Sequence, residues 1–339
     1  MQMRKGGTPV KILILGTEAR YRAYQPDMPF IGRQELVFLD KDSTEDTILA
    51  AGGDAEVLFV DAITPVSGAL MERMPSLRLV HSEGVAFDRI DLAAARDRGI
   101  YVCNNRGCNA GAVAEQAILL MLMLLRRALE GDRAVREGRQ MEMKERCMVE
   151  GLTELSACKV GLVGFGDIAR AAAERLAPFG CELYYYTRHR RTPEEERRYG
   201  VIYLPLEELA ERSDIVSLHC AVNDETRGMV DDALLRRMKP TAYLINTARG
   251  DLVDNDALAR ALTEGRIAGA GLDTLAPEPV PADHPLVTLP PEIQRRVVLA
   301  PHLGGITEAS FRRAHAHMWR NAQRLAAGER PDSVVNGLA

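Results

Sequence analysis

Short apolar runs separated by amphipathic stretches set the rhythm of the chain. Lys11 to Leu15, Val57 to Val60, Leu77 to Val80 and Ile100 to Val102 read as strands with helical pieces between them. That alternation predicts an α/β unit with a parallel sheet, because each crossover helix returns the chain to the same edge. A second series follows at Lys159 to Val163, Glu182 to Tyr186, Ile215 to Leu218, Ala242 to Ile245, Ala268 to Leu272 and Val297 to Leu299. Six such runs suit a complete doubly wound sheet.

Three segments break the rhythm. In Gly111 to Glu137 the apolar positions Val113, Ile118, Leu119, Met121, Leu122 and Leu125 are too continuous for a surface helix, so a helix buried on most sides is expected. Between Asp273 and Val297 the prolines 277, 279, 281, 285, 290 and 291 predict a loop that joins neither a helix nor a central strand. Beyond it, Thr307 caps a predicted helix in which Phe311, Ala314, Met318, Ala322 and Leu325 recur at helical spacing.

At 339 residues the chain exceeds the size of one core, so two domains are expected. The 43 basic and 48 acidic residues leave a net charge of -5 without a basic block, which excludes nucleic acid as a first choice of partner. Six scattered cysteines form no C-x-x-C pair, so neither a disulfide framework nor a metal site is expected, and the compartment reads as cytoplasmic. Behind the charged start Met1 to Lys5, the apolar run Val10 to Leu15 is too short for a signal-peptide core. Ala117 to Leu125 is the longest apolar stretch, far below a membrane span.

Candidate chemistry begins at Gly164-Phe165-Gly166-Asp167-Ile168-Ala169, which follows a strand and opens a helix. It is a G-x-G-x-x-A form of the dinucleotide fingerprint, where glycines admit a pyrophosphate to the helix N-terminus. The motif alone also fits a tight turn or another nucleotide-like ligand such as adenosylmethionine. Where an acidic residue for the adenosine ribose is expected, the next strand ends Tyr186-Thr187-Arg188-His189-Arg190-Arg191. Arg188, with Arg190 or Arg191 assisting, would welcome a 2′-phosphate, which favours NADP over NAD. A solvated basic turn partnered by Glu194, Glu195 and Glu196 is the alternative.

Arg249 follows the turn Asn246-Thr247-Ala248 at the end of a strand, where open α/β sheets bind ligands, and suits a bidentate hold on a carboxylate. A surface salt bridge is its commoner use. Asp273 ends the next strand and suits either a nicotinamide carboxamide or a turn cap. Glu278 lies in Pro277-Glu278-Pro279, and His302 follows the last strand in Pro301-His302-Leu303-Gly304. Reduction of a ketone by hydride leaves an alkoxide that a histidine can protonate, and a neighbouring carboxylate would orient the ring. Spacing alone does not pair these two residues.

Taken together, these stretches resemble the D-isomer-specific 2-hydroxyacid dehydrogenases, the family of phosphoglycerate dehydrogenase and the glyoxylate and hydroxypyruvate reductases. The resemblance covers nearly the whole chain. It matches the N-x-x-R-G turn with Asn246 to Gly250, the glutamate loop with Glu278 and the P-H-x-G turn with His302. It implies Arg249, Glu278 and His302 as catalytic residues. The family's G-x-G-x-D-x-I-D loop, whose amides hold the substrate carboxylate, is similar to Gly84 to Asp91 and implies Val85 and Ala86 as substrate-binding residues beside Arg249. Ala86 replaces the second glycine of that pattern, so the identity of the substrate does not carry over. The expected cofactor contacts are Gly164, Phe165, Gly166, Asp167, Ile168, Thr187, Arg188, Cys220, Thr247, Ala248 and Asp273, with Cys220 in the place of a family H-x-P turn.

The resemblance further implies two Rossmann-like domains with doubly wound parallel sheets. The substrate-binding domain is expected to be discontinuous, residues 1–108 and 303–339, and the NAD(P)-binding domain to be 109–302, with the active site in the cleft. Asn109 to Glu115 is similar to the start of the family's crossover helix, which implies a homodimer. No serine-type feedback module is expected after Asn336. The implied activity is hydride transfer between NAD(P)H and C2 of a small 2-keto or D-2-hydroxy acid. Two rivals stand beside it, a formate or phosphite dehydrogenase and a nucleotide-sensing binding protein on the same fold.

Overall fold

The computed structural model describes residues 9–339, so the charged start Met1–Lys5 lies outside the described residues. The chain forms two compact units, one of the described residues up to Asn109 with Thr307–Ala339, the other Ala110–Ile306.

In the first unit, β1 (Lys11–Leu15), β2 (Glu35–Leu39), β3 (Val57–Val60), β4 (Leu79–Ser82) and β5 (Tyr101–Cys103) form a parallel sheet in the order β2-β1-β3-β4-β5. Every residue of β3 and β4 is buried, as expected where a parallel sheet is covered on both faces. Strand order reverses at β1 and β3, which opens the carboxyl edge there to ligands. The apolar rhythm did not mark β2, an edge strand whose residues are only half-buried or exposed. The helix Glu308–Ala326 returns to this unit and buries Ala314, His315, Met318, Trp319, Ala322 and Leu325. Thr307 caps it, its hydroxyl accepting the Ser310 amide at 3.2 Å. Trp319 meets the Phe59 ring edge-on at 5.2 Å.

The second unit holds β6 (Lys159–Val163), β7 (Glu182–Tyr186), β8 (Val201–Tyr203), β9 (Ile215–Leu218), β10 (Tyr243–Asn246), β11 (Gly269–Leu272) and β12 (Val297–Leu299). All pairs are parallel, in the order β12-β11-β10-β9-β6-β7-β8. The sheet therefore has seven strands where the sequence pattern showed six. β8 is a three-residue edge strand, too short to display a period of its own. Strand order reverses between β6 and β9, and the ends of these two strands carry Gly164 and His219.

Two expectations need correction. Gly111–Glu137 is not one helix: Ala110–Leu125 stops at Arg126, Arg127 takes a left-handed φ of 51°, and a new helix runs Ala128–Arg136. The apolar run ends at Leu125, and the two arginines that follow it have no core to enter. The proline-rich segment also contains a short helix, Pro291–Gln294, because proline suits the first turn, where no amide partner is needed. Among the described residues no helix is long and apolar enough to cross a membrane.

Candidate active site

At the end of β6 the backbone turns through Gly164 with φ 92°. A Cβ there would sit 2.7 Å from the Cys220 nitrogen and 2.8 Å from the His219 carbonyl carbon, so the two turns at the sheet's reversal point touch backbone to backbone. Gly166 differs: a Cβ on it would meet nothing within 4 Å, which leaves open space over the start of the helix Asp167–Leu176. The first amides of that helix have no partner within it, and together with its dipole they suit an anion such as a pyrophosphate. Nearby turns leave the hydroxyls of Thr247 and Thr274 and Nδ1 of His219 buried without a partner. Open space over a glycine, free helix amides and unpartnered polar atoms fit a dinucleotide.

Of the three arginines beyond β7, Arg191 donates through Nη2 to the Phe165 carbonyl at 3.1 Å and so braces the glycine turn from behind. Arg190 forms a two-pronged pair with Glu196 at 2.8 and 2.9 Å. Arg190 and Arg191 are thus turned to these partners rather than toward Arg188. Arg188 bonds Glu225 at 2.9 Å, but both side chains are about two-thirds exposed, at 66% and 69%. Neither this partner nor Glu196 settles a preference by itself; an exposed pair of this kind is worth only ~0–1 kcal/mol. Thr187 is half-buried, and Cys220 rests its sulfur 3.7 Å from that of Met229.

Arg249, Glu278 and His302 all belong to the second unit. Buried Asn246 shapes the turn after β10, its Oδ1 accepting the Ala248 amide at 3.0 Å and its Nδ2 donating to the Arg249 carbonyl at 2.8 Å. Gly250 then passes so close to the following loop that a Cβ would lie 2.1 Å from the Leu275 carbonyl carbon. Arg249 itself is exposed, bonds only the Ala248 carbonyl at 2.7 Å, and has no carboxylate in range among the described residues. The salt bridge that would have been its commoner use is not made.

Asp273 is 1% exposed and holds the histidine turn together. Its carboxylate accepts the amides of Leu303 and Gly304 at 2.9 and 2.8 Å and the Gln116 side chain at 3.2 Å, while its carbonyl accepts the His302 amide at 2.8 Å. The turn cap expected of it is therefore made. His302 takes a left-handed φ of 56°, uncommon for a residue with a side chain, and strain of this kind gathers at functional sites. Its Nδ1 lies 3.1 and 3.0 Å from the two oxygens of Glu278. The carboxylate only accepts, so Nδ1 carries the proton and Nε2 is left for another partner.

The glutamate loop is fixed from below. Asn255 donates to the Ala276 carbonyl at 2.7 Å, and His284, which accepts the Leu286 amide at Nδ1, donates to the same carbonyl from Nε2 at 3.2 Å. Asn255, His284 and Gln116 were not singled out from the sequence. Gln116 and Asn255 act on groups distant in the chain, the Asp273 carboxylate and the Ala276 carbonyl, and only His284, inside the proline-rich loop, offered a local hint.

In the first unit, the segment holding Val85 and Ala86 is tied down by its carbonyls. Asn105 takes those of Ser82 and Glu83 with its side chain and that of Gly84 with its amide, at 3.2, 2.8 and 2.9 Å. Asn104 takes that of Val85 at 2.6 Å, and the Ser82 hydroxyl takes that of Ala86 at 2.7 Å. The amides of Val85 and Ala86 are left with no acceptor among the described residues. Two free amides on a segment whose carbonyls are all satisfied make a ready anion holder. Behind it, buried Glu83 lies 2.7 Å from His315 Nε2 and 2.6 Å from Arg20 Nη2. The pair Asn104-Asn105 directly after a strand was the sequence signal for this arrangement, and it went unread.

Comparison with known proteins places this geometry. The family model described as D-isomer specific 2-hydroxyacid dehydrogenase, NAD binding domain, matches residues 118–304. The glyoxylate reductase of Korarchaeum cryptofilum is 40% identical over 283 residues, 84% of this chain and 83% of that one. Among solved structures, the NAD-complexed D-isomer specific 2-hydroxyacid dehydrogenase of Lactobacillus delbrueckii ssp. bulgaricus is 27% identical with a TM-score of 0.79, covering 96% of this chain and 99% of that one. An acyclic imino acid reductase in complex with NADPH and D-Arg is 25% identical with a TM-score of 0.80 over the same shares of the two chains.

Proposed function

The chain belongs to the D-isomer specific 2-hydroxyacid dehydrogenase family, and from that premise we propose how its residues carry out hydride exchange between a nicotinamide cofactor and C2 of a small 2-keto or 2-hydroxy acid. The observation that carries the reading is His302, turned into a left-handed conformation with its Nδ1 on Glu278 and its Nε2 free. When bound, the reduced nicotinamide supplies the hydride to C2. His302 Nε2 then protonates the carbonyl oxygen, and Glu278 stabilises and orients the imidazolium that exists before that transfer. Arg249, free of any carboxylate, holds the substrate carboxylate and polarises the carbonyl. The unclaimed amides of Val85 and Ala86 are proposed as a second hold on that carboxylate. In the oxidative direction each proton step reverses, with His302 as base.

The cofactor rests on the turn Gly164 to Ile168 and the helix amides behind it, beside Thr187, Cys220, Thr247 and Ala248. Asp273 contributes by fixing the turn of His302. We further propose a preference for NADP, supported by the lack of a carboxylate at the end of β7 and by an Arg188 whose exposed partner is given up at little cost. Glyoxylate is the first substrate to test, since relatives carry the name glyoxylate reductase.

A homodimer and a cytoplasmic setting complete the reading. Leu129, Val135, Met141, Met148, Val149 and Leu152 are large apolar side chains exposed along one stretch of the second unit, as an uncovered interface would be. All six cysteines are free, in keeping with a reducing compartment. Sedimentation of the purified protein as a monomer at micromolar concentration would exclude the dimer.

The decisive assay follows NADPH and, separately, NADH oxidation against glyoxylate, hydroxypyruvate and pyruvate, with NADP reduction by formate and phosphite run alongside. Turnover of a 2-keto acid with a higher kcat/KM for NADPH is expected. Faster reaction with formate or phosphite removes the proposed substrate class, and equal efficiency with NADH removes the role given to Arg188.

A further inference from the structure

Apart from the residues used above, the last helix and the loop before Asn109 border an open, solvent-facing groove of about 510 Å³ within the first unit. Its lining includes Arg312, Arg313, Arg320, His317 and Ser333, with Arg106 beside them engaged by a partner of its own, and no Asp or Glu is among the described lining residues. In a chain of net charge -5, this cluster is not a by-product of general basicity.

The side chains are arranged rather than scattered. Positions 313, 316, 317 and 320 form one stripe of the helix Glu308–Ala326, with small Ala316 leaving room between the two guanidinium groups. Arg313 is pinned by neutral partners, its Nε on the Cys108 carbonyl at 2.7 Å and its Nη2 on the Ser310 hydroxyl at 3.2 Å. Arg320 makes no hydrogen bond or ion pair with a described residue. The partner of Arg312 is Glu308, and both side chains are mostly exposed, while Asp332 is turned to Arg324 at 3.7 Å. His317 is spent on Asn105 at 2.8 Å, so it forms a wall and does not supply charge. Burial, and then the Arg320 charge, hold its imidazole below the ordinary range.

Arg313 and Arg320 are left on one stripe without a carboxylate partner among the described residues, and a guanidinium fork matches phosphate or carboxylate oxygens two at a time. Seven helical residues span about 10 Å, so the two arginines are best used by an anion with two heads. We propose that this groove binds a small polyanion of the phosphorylated-metabolite class, with Arg313 and Arg320 each taking one anionic group.

The test titrates inorganic tripolyphosphate into the full chain saturated with NADPH, by calorimetry at low ionic strength, with orthophosphate as the single-headed comparison. One site per chain is expected, with orthophosphate bound more weakly and tripolyphosphate weakened at least tenfold in R313A/R320A. R320A alone removes a side chain that contributes no bond to the fold, and it is expected to weaken binding several-fold with an unchanged melting curve. R188A, at the cofactor turn, should leave tripolyphosphate binding as it was. Unchanged affinity in R313A/R320A overturns the proposal. So does an equal loss in R188A, which moves the anion to the cofactor turn, or a matching rise in the KM for NADPH in R313A/R320A, which makes the groove part of the cofactor site.

Discussion

The two units use the same kind of sheet, and one histidine from each, His81 and His302, is used in opposite ways. In the first unit His81 is buried with both ring nitrogens bonded by the fold: it donates to the Ser82 carbonyl at 2.9 Å and accepts from the Asn321 side-chain amide at 3.0 Å. In the second, His302 is 43% exposed in its side chain and bonds the fold at one nitrogen only. A ring with both nitrogens engaged in a dry interior stiffens a core. A ring with one nitrogen committed and one free on a strained turn is available for proton transfer. What separates His302 from His81 is exposure together with a free nitrogen, which residue type does not reveal.

The largest test of that contrast is His302→Ala. It should lower kcat at least about a hundredfold, the usual share of a general acid, while the melting temperature stays within a few degrees. Asn321→Ala should act mainly on stability, since it leaves His81 Nε2 and the Asp332 amide unpaired; a loss of about 1–3 kcal/mol in a denaturant titration is expected. If H302A unfolds the chain and N321A does not destabilise it, the contrast is wrong.

Gly250→Ala probes the loop contact that brings Arg249 and Glu278 onto one framework. With the Leu275 backbone 2.1 Å from the new Cβ, both turns must shift, and overpacking should cost about 1–3 kcal/mol together with most of the activity. A fully active G250A would show that the two loops move independently. Glu278→Gln keeps size and removes charge; it should reduce kcat by about ten- to a hundredfold with little change in KM, since it acts through His302 on the proton step.

A pH titration sharpens the contrast on the stability side. Burial lowers His81 to about 3 and His219 to about 4, both below the unfolded value of 6.5. Below pH 6.5 the unfolded chain takes up protons that the native one refuses, so stability falls as the pH drops, and the loss continues until about pH 4 for His219 and about pH 3 for His81. Each histidine contributes a slope of about 1.4 kcal/mol per pH unit in its window. His219→Gln should flatten that slope between pH 6 and 4, and an unchanged slope would mean that this ring is protonated in the folded chain. The smallest effect is expected from Arg188→Ala, which should raise the KM for NADPH about tenfold and leave that for NADH within a factor of two.

How much of this was legible varies with the range of the interactions. The strand series and the Thr307 cap could be read because burial periodicity and capping act over a few residues. The break at Arg127 could not, because a helix ends where its core ends, and the edge of a core is a three-dimensional fact. In the site, Gly164, Arg249, Glu278 and His302 stood out through turn chemistry and order along the chain. Glu196 as a partner for the basic turn could be read, whereas the reach of Arg191 to the Phe165 carbonyl was hidden, since that partner is chosen by packing.

By itself, then, the sequence determined the buried strands but not the edge strands β2 and β8, and it determined where the backbone must be glycine and which side chains carry acid, base and cation. Those are local matters of sterics and functional-group chemistry. Only the tertiary structure decided that Glu278 meets His302, that Asp273 serves the turn, and that the Val85 and Ala86 amides stay unclaimed while every carbonyl around them is taken. Each depends on hydrogen bonds between segments far apart in the chain, and such bonds follow from how the sheet edges bring loops together, which no local pattern encodes.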